Sequence, residues 1–95
     1  MGLRATALRH NTMKLTLKLY AGLTDYLPPD AVDNKLIIEI SEHITAYELI
    51  DRYSVPREMA HLVLLNGVYV NPEDRSKAVF NDGDTLAIWP PVAGG

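Results

Sequence analysis

The 95-residue chain contains no cysteine. This absence excludes disulfide bonds, thiolate-bound metal, iron–sulfur clusters and a thiol nucleophile. The three histidines, His10, His43 and His61, share none of the spacings that zinc sites use. The sequence therefore predicts neither a metal site nor a bound cofactor.

The chain also has no long hydrophobic run and no excess of basic residues. No segment approaches the roughly 18 apolar residues of a membrane span, and residues 1–12 contain Arg4 and Arg9 without the apolar core of a secretory signal. The net charge of −3 argues against a nucleic-acid partner, which favours a basic surface. The sequence predicts a soluble cytoplasmic protein that binds neither nucleic acid nor membrane.

Composition is that of one globular domain, with 47% hydrophobic and 22% charged residues. No Ser-His-Asp set, paired carboxylates or phosphate-binding loop can be defended as an active site. Asp82 and Asp84 flank Gly83, and we interpret them as turn formers rather than as an acid–base pair. A self-contained enzyme is not expected.

Alternating hydrophobicity predicts two strands in the first half of the chain. One face of the first strand carries Met13, Leu15, Leu17 and Leu19. This period of two is typical of a half-buried strand. A second strand is predicted from Lys35 to Ile40 and is expected to form a hairpin with the first, leaving Ile37 on the opposite face.

A central helix is predicted by a capping box at Thr45 and Glu48, three residues apart. Its apolar stripe is Ala46, Leu49, Ile50 and Tyr53, at helical spacing. Pro56 is expected to terminate the helix, because the residue before proline is pushed out of the helical region.

Short strands follow the predicted helix. His61–Asn66 and Val68–Val70 flank an Asn66-Gly67 tight turn, and Thr85–Trp89 forms the last strand. This order predicts an α+β fold with a mixed five-stranded sheet and one main helix. We expect the first and last strands to lie side by side and parallel in the middle.

The C-terminal segment consists of a Gly83-Asp84 turn, an apolar strand, Pro90-Pro91-Val92-Ala93 and Gly94-Gly95. It resembles the terminal signature of the MoaD/ThiS family of ubiquitin-like sulfur carriers. The Pro-Pro step and the length are most similar to the small subunit of molybdopterin synthase, although Trp89 stands where phenylalanine or a similar residue is expected. The resemblance covers residues 13–95 and implies a β-grasp fold, with 13–89 as the domain and 90–95 as an extended tail. Residues 1–12 show no periodicity and precede a second methionine, Met13, so we expect them to be a flexible extension or the product of an upstream start codon.

The resemblance implies a function for that tail. The Gly95 carboxylate, next to Gly94, would be adenylated by ATP, carry AMP transiently and become a thiocarboxylate that donates sulfur in molybdopterin (molybdenum or tungsten cofactor) biosynthesis. The implied partners are an E1-like adenylating enzyme, a sulfur-donating sulfurtransferase or desulfurase, and the large subunit of molybdopterin synthase, with the catalytic residues on these partners.

The physical chemistry of the tail fits that function. An α-carboxylate is ionised at neutral pH, since its unperturbed pKa is about 3.5, and needs activation before acyl transfer. Gly94 and Gly95 lack Cβ atoms, so enclosing walls can approach their backbone. Pro90-Pro91 favours an extended path, and residues 90–95 would reach roughly 20 Å. Their uncharged side chains make desolvation in a tunnel inexpensive.

A docking surface is predicted around the root of the tail. If Val63 points inward, Leu62 and Leu64 point outward beside the outward-facing residues of the last strand. The predicted partner-binding residues are Leu62, Leu64, Ala87, Trp89, Pro90, Pro91, Val92 and Ala93. A register shift of one residue would instead place the strand residues in the core. Arg57, Arg75 and Lys77 are interpreted as solvated charges.

Three other functions remain open from the sequence. The carrier could supply sulfur to the thiazole of thiamine or to tRNA thiolation. It could be a ubiquitin-like protein modifier joined to lysines through Gly95. It could also be a plain β-grasp interaction module with an inert tail, which would function normally with a blocked C-terminus.

Overall fold

The computed structural model describes residues 12–92. Its strands are β1 (Thr12–Leu19), β2 (Lys35–Ser41), β3 (Leu62–Leu65), β4 (Val68–Tyr69) and β5 (Thr85–Trp89). The α-helix of this part of the chain is α1 (Ala46–Arg52), and short 3-10 segments span Ala21–Tyr26, Arg57–Met59 and Pro72–Asp74. The predicted N-terminal extension lies outside the described residues, except for Thr12, which begins β1.

The described strands form one mixed sheet in the order β2-β1-β5-β3-β4. β1 pairs antiparallel with β2 and parallel with β5, so that Leu17 lies opposite Leu36 on one side and Leu86 on the other. β3 pairs antiparallel with both β5 and β4. The predicted five-stranded mixed sheet is confirmed, and β1 and β5 are parallel neighbours at its centre.

The inner face of the sheet carries the leucines that the alternation predicted. Leu15, Leu17 and Leu19 are at most 2% exposed, and Leu86 and Ile88 of β5 are buried beside them. Each such side chain contributes about 1.5–3 kcal/mol of burial free energy. The core therefore forms on the inner face of the two central strands, and β5 pairs with β1 on one edge and β3 on the other.

The helix α1 covers that inner face and begins with the predicted capping box. The Thr45 hydroxyl accepts from the Glu48 amide at 3.1 Å, and the Glu48 carboxylate accepts from the Thr45 amide at 2.9 Å. The helix ends at Arg52 with Tyr53 as its C-cap, and Ser54 follows with a left-handed φ of 62°. The helix therefore ends earlier than the position before Pro56 that the sequence predicted. Within residues 12–92, no helix has the length and apolar character needed to cross a membrane.

The turn between β3 and β4 is the predicted Asn66-Gly67 turn. Both residues have positive φ, 51° and 85°, as a two-residue type I′ hairpin requires. Asn66 therefore lies in the turn, and β3 is shorter than the predicted His61–Asn66.

Arg75 is buried, so the prediction that it is a solvated charge is wrong. Its side chain is 4% exposed. The guanidinium donates to the carbonyls of Val70 and Ala60 at 3.0 Å, and to the His61 carbonyl and the Tyr69 hydroxyl at 3.3 Å. Arginine has five N–H donors, so carbonyl oxygens can satisfy it without a carboxylate. The Arg75 side chain thus links Ala60 and His61, which precede β3, to Val70, which follows β4.

Candidate functional site

The start of β5 is fixed by a hydrogen-bonded turn against β1. The Lys14 amide donates to Asp82 Oδ1 at 2.7 Å, and the Gly83 amide donates to the Lys14 carbonyl at 2.8 Å. Gly83 has a φ of 88°, a conformation that glycine adopts without the penalty a Cβ would add. The turn thus sets the register of the last strand.

A buried carboxylate completes this turn. Asp84 is 8% exposed; its Oδ1 accepts from Asn66 Nδ2 at 2.9 Å and its Oδ2 from the Asn81 amide at 2.8 Å. Asn66 Oδ1 in turn accepts from the Thr85 amide at 2.9 Å. Asp82 and Asp84 therefore act as turn formers, as predicted from the sequence.

The other end of β5 is the root of the predicted tail. The Tyr20 amide donates to the Ile88 carbonyl at 3.1 Å, and the His61 amide donates to the Trp89 carbonyl at 3.0 Å. Pro90 and Pro91 have no N–H with which to continue the ladder. The chain leaves the sheet directly after Trp89.

Beyond this point the chain is increasingly exposed. Pro90 is half-buried, Pro91 is exposed, and Val92 is 80% exposed. Val92 is therefore not packed into the domain. Ala93, Gly94 and Gly95 lie outside the described residues, so the predicted chemistry at Gly95 stays a prediction.

The parity predicted for β3 is correct. Val63 is fully buried on the inner face, whereas Leu62 is 37% exposed and Leu64 is half-buried. Leu62 lies opposite Trp89, and Leu64 lies opposite Ala87. We call these four residues of the outer face, Leu62, Leu64, Ala87 and Trp89, the outer patch. The alternative register, in which they would form core, is wrong.

Ala87 lies on the outer face as predicted but is only 8% exposed. Its neighbours across the two strand pairings are Lys18 and Leu64, whose longer side chains flank the single methyl group. Ala87 therefore forms the floor of the outer patch rather than an exposed contact.

The ring of Trp89 stacks on that of Tyr20. Their centroids are 4.0 Å apart and their planes differ by 7°. Aromatic pairs contribute about 0.5–1.5 kcal/mol beyond the area they bury. Sequence periodicity did not predict this contact, which follows from the parallel register of Leu19 with Ile88.

Two ion pairs of the described residues lie outside the outer patch. Arg57 Nη2 lies 2.9 Å from Asp51 Oδ2 and its guanidinium lies 4.3 Å above the Tyr47 ring; the hydrogen bond from Arg57 lowers the pKa of Asp51. Lys77 Nζ lies 3.0 Å from Asp74 Oδ1, which raises the lysine pKa. Within residues 12–92, no three His, Asp or Glu side chains converge on a possible metal position.

A five-stranded mixed sheet covered by one helix, with the C-terminal segment leaving from a central strand, defines a ubiquitin-like β-grasp protein. The model of the ThiS family matches residues 28–95, and the chain belongs to this family. The predicted family resemblance is thereby confirmed, and it indicates a sulfur-carrier or ubiquitin-like modifier role. No curated protein sequence matches the chain.

Two solved structures support the β-grasp fold. The solution structure of the HVO 2177 protein of Haloferax volcanii has a TM-score of 0.70 at 21% identity, covering 90% of this chain and 89% of that one. The crystal structure of small archaeal modifier protein 1 of H. volcanii has a TM-score of 0.60 at 21% identity, covering 84% and 99%. At this identity the likeness concerns the fold.

Proposed function

We propose that the chain is a sulfur carrier whose Gly95 carboxylate is adenylated, converted to a thiocarboxylate and used as the sulfur donor in molybdopterin biosynthesis. The observation that carries the proposal is the release of the chain from the sheet at Trp89. β5 is held on both edges up to its last carbonyl, and Val92, three residues later, is 80% exposed. A rigid body thus presents the start of a slim, uncharged tail.

The chemistry requires groups from other proteins. A Gly95 oxygen attacks the α-phosphate of ATP, forming an acyl-adenylate and releasing pyrophosphate. Hydrosulfide then attacks the acyl carbon and expels AMP; a protein persulfide can do the same, with a thiol reductant afterwards cleaving the S–S bond. Because this chain contains no cysteine, the persulfide must belong to a sulfurtransferase or desulfurase.

The outer patch is the proposed contact surface for these partners. Leu62, Leu64 and Trp89 lie beside the root of the tail, and a partner that covers them would receive the tail at a fixed distance and direction. A few residues at the centre of an interface, most often tryptophan, tyrosine and arginine, supply most of its binding energy, so Trp89 is expected to contribute more than the leucines. The E1-like adenylating enzyme and the synthase large subunit are expected to use this patch in turn.

Intact-mass spectrometry tests the proposal. The untagged chain is incubated with its cognate adenylating enzyme, ATP and a sulfur source, and the expected product has one sulfur in place of one C-terminal oxygen. The thiocarboxylated product is then mixed with the cognate synthase large subunit and its pterin substrate, where loss of the added sulfur should accompany molybdopterin formation.

A chain lacking Gly95 is the matched control. We expect it to fold normally and to remain unmodified, since the reacting carbonyl would be displaced by one residue. A chain that gains no sulfur with a competent cognate enzyme would contradict the carrier function. Sulfur gain followed by transfer only to a thiazole precursor or to tRNA would retain the carrier chemistry and replace the acceptor.

The fold likeness to small archaeal modifier protein 1 favours a second candidate, a ubiquitin-like modifier. Here the Gly95 adenylate would react with a lysine amine to form an isopeptide bond and release AMP. Peptide mass spectrometry of the trypsin-digested cell lysate would detect lysines that carry residues 78–95 of this chain, because its last tryptic site is Lys77. Such adducts should be absent from cells that express the chain lacking Gly95.

A further inference from the structure

Two lysines face each other across the outer face of the sheet. Lys18 of β1 and Lys35 of β2 are direct cross-strand partners. Like charges in this position repel each other and destabilise the pairing. The repulsion between the two lysines therefore lowers the stability of the sheet. The chain as a whole is acidic, with a net charge of −3, so this pair is a local concentration of positive charge.

Neither lysine is neutralised within the described part of the chain. The ion pairs there are Arg57 with Asp51, Lys77 with Asp74, and His43 with Glu42. Asp30 lines the same shallow groove as the two lysines but forms an ion pair with neither. Residues 1–11, which lie outside the described range, contain no Asp or Glu in their sequence. Both lysines are therefore available to carboxylates of another molecule.

The lysine pair is continuous with the outer patch. Successive strand pairings form one row across the sheet, which runs Lys35, Lys18, Ala87, Leu64 and Tyr69. Because adjacent strands lie about 4.8 Å apart, the Lys18 backbone is roughly 5 Å from that of Ala87 and roughly 10 Å from that of Leu64. These distances are short enough for one partner protein to contact both regions.

The groove also offers apolar contacts next to the charges. Val32 is 68% exposed and Ile37 is 71% exposed, and both line the groove beside the lysines. The surface thus alternates aliphatic and cationic groups. It is complementary to a protein surface that carries carboxylates among apolar side chains.

We infer that Lys18 and Lys35 bind carboxylates of the enzyme that adenylates Gly95, and that they orient this enzyme over the outer patch. The inference rests on the proposed function, since it assigns a partner to the same tail. Lysines at the edge of an interface mainly increase the association rate constant, and salt weakens their effect. Their role is recognition, while the apolar groups of the outer patch supply the contact that follows.

Biolayer interferometry with the N-terminally immobilised chain and the purified cognate adenylating enzyme tests this inference. In the Lys18→Gln/Lys35→Gln variant, the association rate constant should fall about 5–20-fold at low ionic strength. In about 0.5 M salt, the variant and the wild type should differ less than about 2-fold. The matched control is Lys77→Glu, which changes the net charge by the same two units on another surface and should leave the rate unchanged.

Stability measurements separate recognition from misfolding. Removing one charge of a repelling pair should leave the melting temperature of Lys18→Gln unchanged or slightly higher, while binding weakens. An unchanged association rate in the double variant, or an equal loss in Lys77→Glu, would overturn the inference. A faster association rate in the double variant would also overturn the inference, because the lysines would then bind the chain's own Gly95 carboxylate. A dimer that the wild type forms and the double variant does not form would overturn it as well.

The chain lacking Gly95 distinguishes this inference from the proposed function. If its adenylation is abolished but the lysine variants bind normally, the lysine inference alone fails. If the chain lacking Gly95 is still adenylated, the proposed function fails, whatever the lysine variants show.

Discussion

The two ends of β5 are built in opposite ways. At its start, Asp82, Gly83 and Asp84 make hydrogen bonds to β1 and to the β3–β4 turn, and Asp84 is buried. At its end, the Trp89 carbonyl makes the last ladder bond, two prolines follow, and Val92 is exposed. The start fixes the position of the strand, and the end releases the chain in a defined direction.

This difference separates stability from function along a single strand. Substitutions at the start should destabilise the fold without altering the chemistry of folded molecules. Substitutions after Trp89 should alter the chemistry without destabilising the fold. The following predictions test that separation, from the largest expected effect to the smallest.

Replacing Asp84 by Ala should remove the anchor at the start of β5. The Asn66 amide group and the Asn81 amide would each lose their bond to the buried carboxylate, and hydrogen bonds to charged groups contribute about 1.5–3 kcal/mol each. We expect the free energy of unfolding, measured with urea, to fall by about 2–4 kcal/mol. The exposed Asp82→Ala control should lose only about 1 kcal/mol, and equal losses in both variants would contradict the importance of the buried carboxylate.

Trp89 belongs to both regions, because it ends the strand and stacks on Tyr20. Trp89→Ala removes the stack and half-buried aromatic surface, so we expect a loss of about 2 kcal/mol in unfolding free energy together with weaker partner binding. Trp89→Phe retains a ring over Tyr20 and should lose less than about 1 kcal/mol. Calorimetry of the two variants checks the order; a phenylalanine variant as unstable as the alanine variant would exclude stacking as the cause.

Replacing Pro90 and Pro91 by glycine should affect the conformation of the tail without affecting the stability of the domain. The tail would sample more conformations before binding, and at about 0.4–1 kcal/mol per position the kcat/KM for adenylation should fall about 4–30-fold. The unfolding free energy should change by less than about 0.5 kcal/mol. A pyrophosphate-exchange assay gives the rate, and an undiminished kcat/KM would show that the prolines do not preorganise the tail.

The ion pair of Asp51 with Arg57, which belongs to α1 and the segment after it, should have the smallest effect. The hydrogen bond from Arg57 lowers the pKa of Asp51 below its ordinary value of 3.8. Its stabilisation is therefore present above about pH 4 and is lost as the pH falls through the lowered folded-state pKa. Both groups are exposed, so the effect is small.

Melting curves of the wild type and Asp51→Asn at neutral pH and at about pH 2.5 check this prediction. A slightly higher wild-type melting temperature at neutral pH should disappear in acid. Adenylation of Gly95 at neutral pH should be the same in both proteins, and a slower variant would place Asp51 near the partner.

The elements that the sequence predicted correctly are those with a local signal. The capping box at Thr45 and Glu48, the alternation of β1 and the positive-φ turn at Asn66-Gly67 each depend on neighbouring residues. The outward parity of Leu62 and Leu64 followed from the period of two alone. The outward-facing residues of the candidate site could therefore be predicted strand by strand from the sequence.

The missed features depend on contacts between distant segments. Arg75 is buried because carbonyls on both sides of the β3–β4 hairpin converge on it, and no local pattern indicates this. Ala87 is covered by side chains of two other strands. The groove with Lys18 and Lys35 requires the β1–β2 register and the loop residue Val32, which sequence periodicity does not position.

The stack of Trp89 on Tyr20 provides a built-in optical reporter. Trp89 is the chain's single tryptophan, so the whole indole emission of the protein arises at the point where the tail leaves the sheet. A tryptophan-free partner that settles on this point would change the local polarity and shift or quench the fluorescence. Tail engagement could thus be followed in real time on the unlabelled protein.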